Sequence, residues 1–147
     1  MVDPNDPCLA CGIAAGRIAT PGGIILRNGG FTVHALADPT PLAGWLVVTS
    51  DRHARALYDL DAAEAAALGR VTARVMRAQR EALGAEHVYA FAIGDVLRHF
   101  HLHLVPRYAG TPARLRGRGC FEGRPEEMLP ESEVASAVVK VRAALGG

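Results

Sequence analysis

Residues 98–108, RHFHLHLVPRY, alternate histidine with apolar side chains. A period of two is the pattern of a β-strand, because successive side chains of a strand point to opposite faces. One face of the predicted strand carries three imidazoles, from His99, His101 and His103. The other face carries three apolar side chains, from Phe100, Leu102 and Leu104. Pro106 lacks a backbone N–H and is predicted to end the regular pairing. The apolar face is expected on a core, and the histidines on a cleft, a ligand or a metal.

Bulk properties limit the classes of protein to which the chain can belong. A length of 147 residues predicts one domain over 1–147. With 50% hydrophobic and 21% charged residues, the chain can form a packed core. A net charge of +1 argues against a nucleic acid polymer as partner. No basic segment followed by an apolar run opens the sequence, and no run approaches the ~20 apolar residues of a membrane span. A soluble, cytoplasmic protein is predicted.

The remaining pattern predicts an α+β domain. Strands are predicted from the apolar or alternating runs at 24–26, 31–37, 45–50, 87–94 and 97–106. Asn28 and Gly29 lie between the first two runs, which favours a hairpin. A helix is predicted over 61–83, opened by Asp61 with Glu64 three residues later and ended by Gly84. A second helix is predicted over 133–145, a compact turn at 7–12 and a loop at 110–125. This order indicates an antiparallel sheet of about five strands with two main helices.

The histidine strand has three interpretations. The first is a solvent-facing strand that uses histidine by chance. The second is a metal site built by the three histidines alone, but no Asp, Glu or further His follows until Glu122. The third is nucleophilic catalysis, because a neutral imidazole is a competent nucleophile and its neighbours on the strand can fix its tautomer. Phosphorus chemistry suits the third interpretation, and Arg107 is expected either near phosphate or as a surface charge.

Three segments resemble the histidine-triad (HIT) superfamily of nucleotide hydrolases and transferases. HFHLHLVPR at 99–107 matches its signature of alternating histidines followed by two apolar residues, Pro and often Arg. ADPTPLAGWLVVTSDRH at 37–53 is similar to its segment with an Asp, a proline turn, a Gly, an apolar strand and a His. Cys8-x-x-Cys11 resembles the N-terminus of its zinc-carrying members. The resemblance covers about residues 8–108 and implies a HIT-like homodimer.

The same resemblance implies roles for individual residues. His101 would be the nucleophile that attacks the α-phosphorus of a purine nucleotide or nucleotide conjugate and forms a nucleotidyl-imidazole intermediate. His103 would hydrogen-bond the phosphate, and His99 would orient His101. Asp38 matches the residue that binds the ribose hydroxyls. The implied activity is hydrolysis of a nucleoside phosphoester, phosphoanhydride or phosphoramidate.

A structural zinc site is a further prediction. Cys8-x-x-Cys11 is half of a tetrahedral zinc site, and the alternative is a pair of thiols in a turn. The resemblance supplies His53 and His99 as the other two ligands, a closed Cys₂His₂ set that is structural rather than catalytic. Cys120 is expected to be an ordinary thiol. The two remaining histidines, His34 and His87, are expected to be surface or strand residues.

The chain departs from the family pattern at two places. In GDVLRH at 94–99, Asp95 stands where the family often has Gln, and Val96 where it has Ser or Thr. A carboxylate near phosphate is repulsive unless it is protonated, metal-bound or turned away. The frequent Gly-His is Gly44-Trp45 here, and Trp45 is expected in the core or in the wall of a base pocket. These departures keep two alternatives open: a nucleotidyl transferase or phosphorylase with a specialised acceptor, and a non-catalytic nucleotide-binding protein.

Overall fold

A five-stranded sheet forms the centre of the protein, whose computed structural model describes residues 8–146. The strands are β1 (Leu26–Asn28), β2 (Phe31–Ala35), β3 (Leu46–Ser50), β4 (His87–Phe91) and β5 (His101–Arg107). They lie in the order β1-β2-β3-β5-β4, and every neighbouring pair is antiparallel. The predicted α+β class, the hairpin and the number of strands are confirmed. The sequence reading at residues 1–7 falls outside the described part of the chain.

Three helices accompany the sheet: α1 (Leu9–Ala14), α2 (Ala62–Leu83) and α3 (Glu131–Ala144). The predicted capping box opens α2, because the Asp61 carboxylate accepts from the Glu64 N–H and the Glu64 carboxylate accepts from the Asp61 N–H. Gly84 ends the helix with φ +73°, a left-handed conformation that favours glycine. No helix within the described residues is long and apolar enough to cross a membrane.

One face of the sheet packs against α2 and α3 and forms the main core. The helices contribute the buried residues of a single stripe each: Ala67, Val71, Val75 and Ala78 from α2, and Val134, Val138 and Val141 from α3. The sheet contributes its inner side chains, including Phe31, Val33, Leu46, Val48 and Leu104. Phe100 and Leu102 also pack there, so the prediction for the apolar face of the histidine segment is confirmed.

The opposite face of the sheet carries the histidines. Thr49 on β3 pairs with His101 on β5, and Val47 pairs with His103. Val47 also pairs with His34 on β2. Directly paired residues of antiparallel strands share a face. Side chains from three adjacent strands therefore meet on this face, away from the helices.

Four details differ from the sequence predictions. His99 precedes β5, and only His101 and His103 belong to the strand. Pro106 lies inside β5, opposite Val88. Pairing of β5 with β3 ends at Leu104, and proline is tolerated where a strand has a neighbour on one side only. The expected turn at 7–12 is the short helix α1, and the expected loop at 110–125 contains short 3₁₀ helices at Ala113–Leu115 and Gly117–Phe121.

Candidate active site and metal centre

Four predicted metal ligands converge at the end of the histidine segment. They come from α1 and the residue before it, from the chain after β3 and from the chain before β5, and they are Cys8, Cys11, His53 and His99. Their ligand atoms all lie within 4.8 Å of one another. We refer to these four residues as the metal cluster. The structure thus brings together residues up to 91 positions apart in the chain.

The distances within the metal cluster suit a tetrahedral ion. Cys11 Sγ lies 3.1 Å from His53 Nδ1 and 3.3 Å from His99 Nδ1. The two Nδ1 atoms are 3.1 Å apart, and Cys8 Sγ is 3.5 Å from His99 Nδ1. Zinc bonds of about 2.0–2.3 Å separate tetrahedral ligand atoms by about 3.3–3.8 Å. Two thiolates and two imidazoles are also the donors that zinc prefers. The residues therefore fit zinc.

The surroundings of His99 fix which of its nitrogens faces the metal cluster. The His99 ring is fully buried, and its Nε2–H donates to the Ser50 carbonyl oxygen over 2.6 Å. Nδ1 is then the unprotonated nitrogen, and it is the one that points at the cysteines. A backbone carbonyl that holds the outer N–H of a histidine is the usual second contact at a zinc site.

A cavity of ≈ 340 Å³ opens beside the metal cluster, over the histidine face of the sheet. Its apolar wall includes Leu9, Ala10, Ile13, Leu36 and Val47. Its polar groups come from His34, Asp38, Thr49, Asp95, His101 and His103. We refer to this space as the histidine cavity. A mostly apolar cavity of this size with a few convergent polar groups is the usual form of a small-molecule site.

His101 is held in one tautomer by the backbone. Its Nδ1–H donates to the His99 carbonyl oxygen over 2.7 Å, and a carbonyl oxygen only accepts. In neutral His101 the proton is therefore on Nδ1, and the lone pair is on Nε2. The side chain lines the histidine cavity. His99 thus orients His101 through its carbonyl group, while its own ring belongs to the metal cluster.

His103 is held in the opposite tautomer. The indole Nε1–H of Trp45 donates to His103 Nδ1 over 3.0 Å. Nδ1 is therefore the acceptor, and the proton of the neutral ring is on Nε2. Burial, with smaller contributions from His101 and His34, lowers the pKa of His103 to about 4. Neutral His103 is a hydrogen-bond donor through Nε2 at pH 7.

His34 belongs to this site, although the sequence singled it out only as a surface or strand residue. It lies on β2, is buried and lines the histidine cavity. Its Nδ1–H donates to the Ala35 carbonyl oxygen, and its Nε2 accepts from the Thr49 hydroxyl over 2.9 Å. Burial lowers the pKa of His34. The alternation of side chains along β2 indicates which residues share a face with His34. Only the order of the strands shows that this is the face of His101 and His103.

The two predicted acidic positions lie in the cavity wall. Asp38 and Asp95 both line the histidine cavity and are exposed. Arg107 does not line it: its guanidinium carbon lies 6.0 Å from the centre of the Tyr89 ring. Of the two places expected for Arg107, the structure therefore does not support the one beside phosphate in this cavity. His87 is exposed on β4, beside the Tyr89 ring at 5.2 Å, and is the surface strand residue that was expected.

An aromatic cavity adjoins the histidine cavity on the side of His103. It has ≈ 310 Å³ and is lined by Trp45, His103, Phe121, Cys120, Met128 and their neighbours. Trp45 is buried with Leu42, Val47 and Val105, as expected for a core residue, and it also lines this cavity, while its role in a base pocket stays a prediction. Cys120 is buried in the same cluster, and burial raises the pKa of its thiol to about 11, as suits an ordinary thiol. The segment after β5 therefore closes over the sheet beside His103.

Comparisons with known proteins show which solved structures share this fold. No family model and no curated protein matches the sequence. Solved structures do match it. A zinc-bound histidine-triad family protein from Mycobacterium smegmatis is 23% identical, with a TM-score of 0.72 over 95% of this chain and 94% of that one. A HIT-like protein from Bartonella henselae, involved in cell-cycle regulation, is 16% identical, with a TM-score of 0.74 over 98% and 99%.

A third solved structure agrees with these two. A hypothetical histidine-triad nucleotide-binding protein from Sulfolobus tokodaii is 18% identical, with a TM-score of 0.74 over 95% of this chain and 92% of that one. The matches span nearly the whole of both chains in each case, including the segment after the histidines that no motif covered. At these identities they identify the fold. We conclude that this chain has the fold of the histidine-triad proteins, as the resemblance in its sequence predicted.

Proposed function

We propose that this protein is a histidine-triad nucleotide hydrolase, which cleaves a nucleoside phosphoester, phosphoanhydride or phosphoramidate through a nucleotidyl intermediate on His101. The observation that carries the proposal is the fixed pair of tautomers. His101 is oriented by the His99 carbonyl with its Nε2 lone pair available, and His103 carries an N–H on Nε2. Both side chains line one cavity. A nucleophile beside a hydrogen-bond donor is what attack on a phosphate requires.

The proposed reaction has two steps. In the first, the His101 Nε2 lone pair forms an N–P bond while the bond from phosphorus to the leaving group breaks, and the leaving group departs with the electron pair. The leaving group of an anhydride departs as a phosphate anion, whereas the alcohol of a phosphoester or the amine of a phosphoramidate takes a proton from solvent. In the second, water attacks phosphorus, the N–P pair returns to Nε2, and the water proton passes to solvent. The Nδ1–H of His101 stays on the His99 carbonyl throughout.

The composition of the cavity wall supports a nucleotide as substrate. Its apolar residues on α1, on β3 and just after β2 suit a flat purine base, and the Asp38 carboxylate can accept hydrogen bonds from ribose hydroxyls. Among the residues that the structure describes, no lysine or arginine lines this cavity. A phosphate group that carries one negative charge, as in a phosphodiester, needs less positive charge from the protein than a terminal phosphate. Transfer of a whole nucleotidyl group is therefore favoured over transfer of a terminal phosphoryl group.

Zinc, when bound, would be held by Cys8, Cys11, His53 and His99 and would supply a structural cross-link. With four protein ligands, the site leaves no position for substrate. The cross-link would hold α1, which forms part of the cavity wall, and the loop that contains the His99 carbonyl. The proposed role of the metal is therefore to position the two walls of the site.

The homodimer is also a proposal. β4 is an edge strand of the sheet, and large apolar side chains are exposed on the chain that follows it: Ile93 is 59% and Val96 is 99% exposed. Exposed apolar side chains beside an unpaired edge suit an interface between two copies. Light scattering of wild type and of Val96→Asp tests this, since the dimer should dissociate in the variant. A single domain over 1–147 and a cytoplasmic location stay predictions.

The test of the proposed activity is product analysis. Wild type and His101→Ala are mixed with adenosine phosphoramidate, guanosine phosphoramidate, a dinucleoside tetraphosphate and ADP, and the products are separated by chromatography. We expect wild type to release a nucleoside monophosphate from at least one compound and His101→Ala to release none. Equal release by both proteins would contradict the nucleophile.

Asp95 favours a second candidate function. Its carboxylate lines the cavity where the family pattern has an amide. A carboxylate there repels a phosphate leaving group but can hydrogen-bond an acceptor that carries N–H or O–H donors. A nucleotidyl transferase or phosphorylase with a specialised acceptor would form the intermediate on His101 and turn over slowly with water. Bound nucleotide without release of any product from wild type would instead indicate a non-catalytic nucleotide-binding protein.

A further inference from the structure

We propose that Trp45 is a positioning residue that locks His103 into one tautomer, so that the two histidines of β5 present opposite groups to the same cavity. The role deepens the proposed function and rests on it. The sequence offered core packing or a base pocket for this tryptophan. The indole N–H gives it a third role, which depends on a single atom.

The hydrogen bond leaves one arrangement of protons. An indole N–H only donates, so the atom that it meets must carry a lone pair. Trp45 Nε1 lies 3.0 Å from His103 Nδ1, and the two rings are almost perpendicular at 84°. In neutral His103 the proton is then on Nε2. Protonation of Nδ1 would set two N–H groups against each other.

Packing prevents the indole from turning away. Trp45 is 3% exposed and lies among Leu42, Val47 and Val105. The Phe121 ring closes the outer side, with its centroid 5.1 Å from that of Trp45 and 5.6 Å from that of His103. Trp45 follows Gly44, whose φ of +86° favours glycine, and a Cβ there would meet Leu83 and Tyr108. The position before the tryptophan therefore requires glycine.

The consequence is a division of roles between two identical side chains. A backbone carbonyl accepts from His101 Nδ1, which leaves a lone pair on Nε2. An indole N–H donates to His103 Nδ1, which leaves a proton on Nε2. The first group can attack phosphorus and the second can donate to a phosphate oxygen. With the other tautomer, His103 would turn a lone pair toward that oxygen, and the interaction would be repulsive.

The titratable groups around His103 agree with a neutral ring. The nearest are His101, whose ring centroid is 5.0 Å away, and His34, Asp38 and Cys120, which line the cavities on either side. Burial lowers the pKa of His103 to about 4, so the neutral form predominates at pH 7. The indole N–H then determines which of the two neutral tautomers His103 adopts.

A replacement of one atom tests the proposal. Trp45 is the only tryptophan of the chain, so growth of a tryptophan auxotroph on an analogue changes this position alone. In 3-benzothienylalanine, sulfur replaces the indole N–H at nearly the same size. 5-Fluorotryptophan keeps the N–H and is the matched control. The zinc-loaded full-length proteins are compared by nitrogen NMR of their histidines, by thermal unfolding and by kcat and KM on the best substrate of the panel.

We expect unprotonated Nδ1 and protonated Nε2 for His103 in the wild-type and fluorinated proteins. The benzothienyl protein should unfold at a similar temperature, show a mixture of tautomers and lose about tenfold in kcat with little change in KM. An unchanged tautomer and kcat in that protein, or a protonated Nδ1 in wild type, would overturn the role of Trp45. If no nucleotide is turned over, the proposed function fails, but the NMR spectra still decide whether the indole sets the tautomer.

Discussion

The metal cluster and the histidine cavity lie side by side and use the same residue type in different ways. In the metal cluster, the ligand atoms of two imidazoles and two thiols lie within 4.8 Å of one another. In the histidine cavity, His101 and His103 turn unlike groups toward an open space. The first arrangement is closed to further ligands and the second leaves room for one. The proposed function therefore gives the same side chain a structural role in one region and a reactive role in the other.

The two regions meet at His99. Its ring belongs to the metal cluster, and its carbonyl oxygen orients His101. They also share α1, so loss of the metal should disturb the cavity wall, whereas a change at His101 should leave the metal cluster intact. The four predictions that follow test this relation, from the largest expected effect to the smallest.

His101→Ala should lower kcat at least about 10³-fold, because the lone pair that attacks phosphorus is removed. The variant should keep its metal, and its free energy of unfolding should change by less than about 1 kcal/mol, since the side chain is only half-buried in a cleft. Activity, metal content and urea unfolding are measured on the same preparation. Loss of metal together with activity would show that the two regions are not separable here.

Cys11→Ser should release the metal and destabilise the fold by about 3 kcal/mol or more, or roughly 10 °C in melting temperature, because zinc affinity contributes to folding. Cys8→Ser should behave alike. Cys120→Ser, a change of a buried thiol outside the metal cluster, is the matched control and should keep the metal. Metal analysis and thermal unfolding provide the measurement. A metal-free wild type with the melting curve of the metal-loaded protein would remove the structural role of zinc.

Acid should lower the free energy of unfolding, because His103 is held neutral in the folded protein. Its folded-state pKa of about 4 is below the ordinary value of 6.5, so the unfolded chain binds the extra proton first. The stability due to neutral His103 is present above about pH 6.5 and declines as the pH falls toward about 4. Between pH 7 and 5, His103 should lower the free energy of unfolding by about 1 kcal/mol after allowance for solvent screening.

Urea unfolding at both pH values measures that loss, with His103→Gln as the variant that cannot titrate. The metal cluster also weakens in acid, but equally in both proteins. The difference between pH 7 and 5 should therefore be smaller in His103→Gln. An equal pH dependence of the two proteins would mean that His103 is not held neutral by its surroundings.

The smallest effect is expected outside both regions. Asp61→Ala removes the carboxylate that accepts from the Glu64 N–H at the start of α2 and should destabilise the fold by about 0.5–1 kcal/mol. Asp61→Asn keeps a side-chain oxygen and should lose less. Neither variant should alter metal content or kcat. A change in metal content or kcat would show that any loss of stability affects both regions. The variants of the two regions could then not be told apart by these measurements.

Local patterns in the sequence predicted most of the fold. The capping box at Asp61, the glycine at 84 and the hairpin at residues 28–31 involve residues close in the chain, and all are present. Period-two alternation also predicted which side of the histidine segment faces the core. It failed at His99, since the same alternation fits an extended segment before a strand. Pro106 was expected to end the pairing but still pairs with β4, because the sequence does not show where the pairing of β5 with β3 ends.

The site was predictable in part. The four residues predicted as metal ligands converge, and Asp38, His101 and His103 line one cavity. His34 was missed because its proximity to His101 depends on the order of strands in the sheet. Arg107 shows the converse, since a neighbour of the histidines in sequence does not line their cavity.

The sequence by itself determined the residue types that can bind a metal and attack phosphorus, and the strand that carries two of them. Only the tertiary structure decided which nitrogen of each histidine bears the proton. That choice depends on a carbonyl two residues away for His101 and on an indole 58 residues away for His103. A ring nitrogen keeps its proton where it faces an acceptor and lacks it where it faces a donor, and for His103 the donor is Trp45, the residue before β3. Folding thus gives two identical side chains different chemistry.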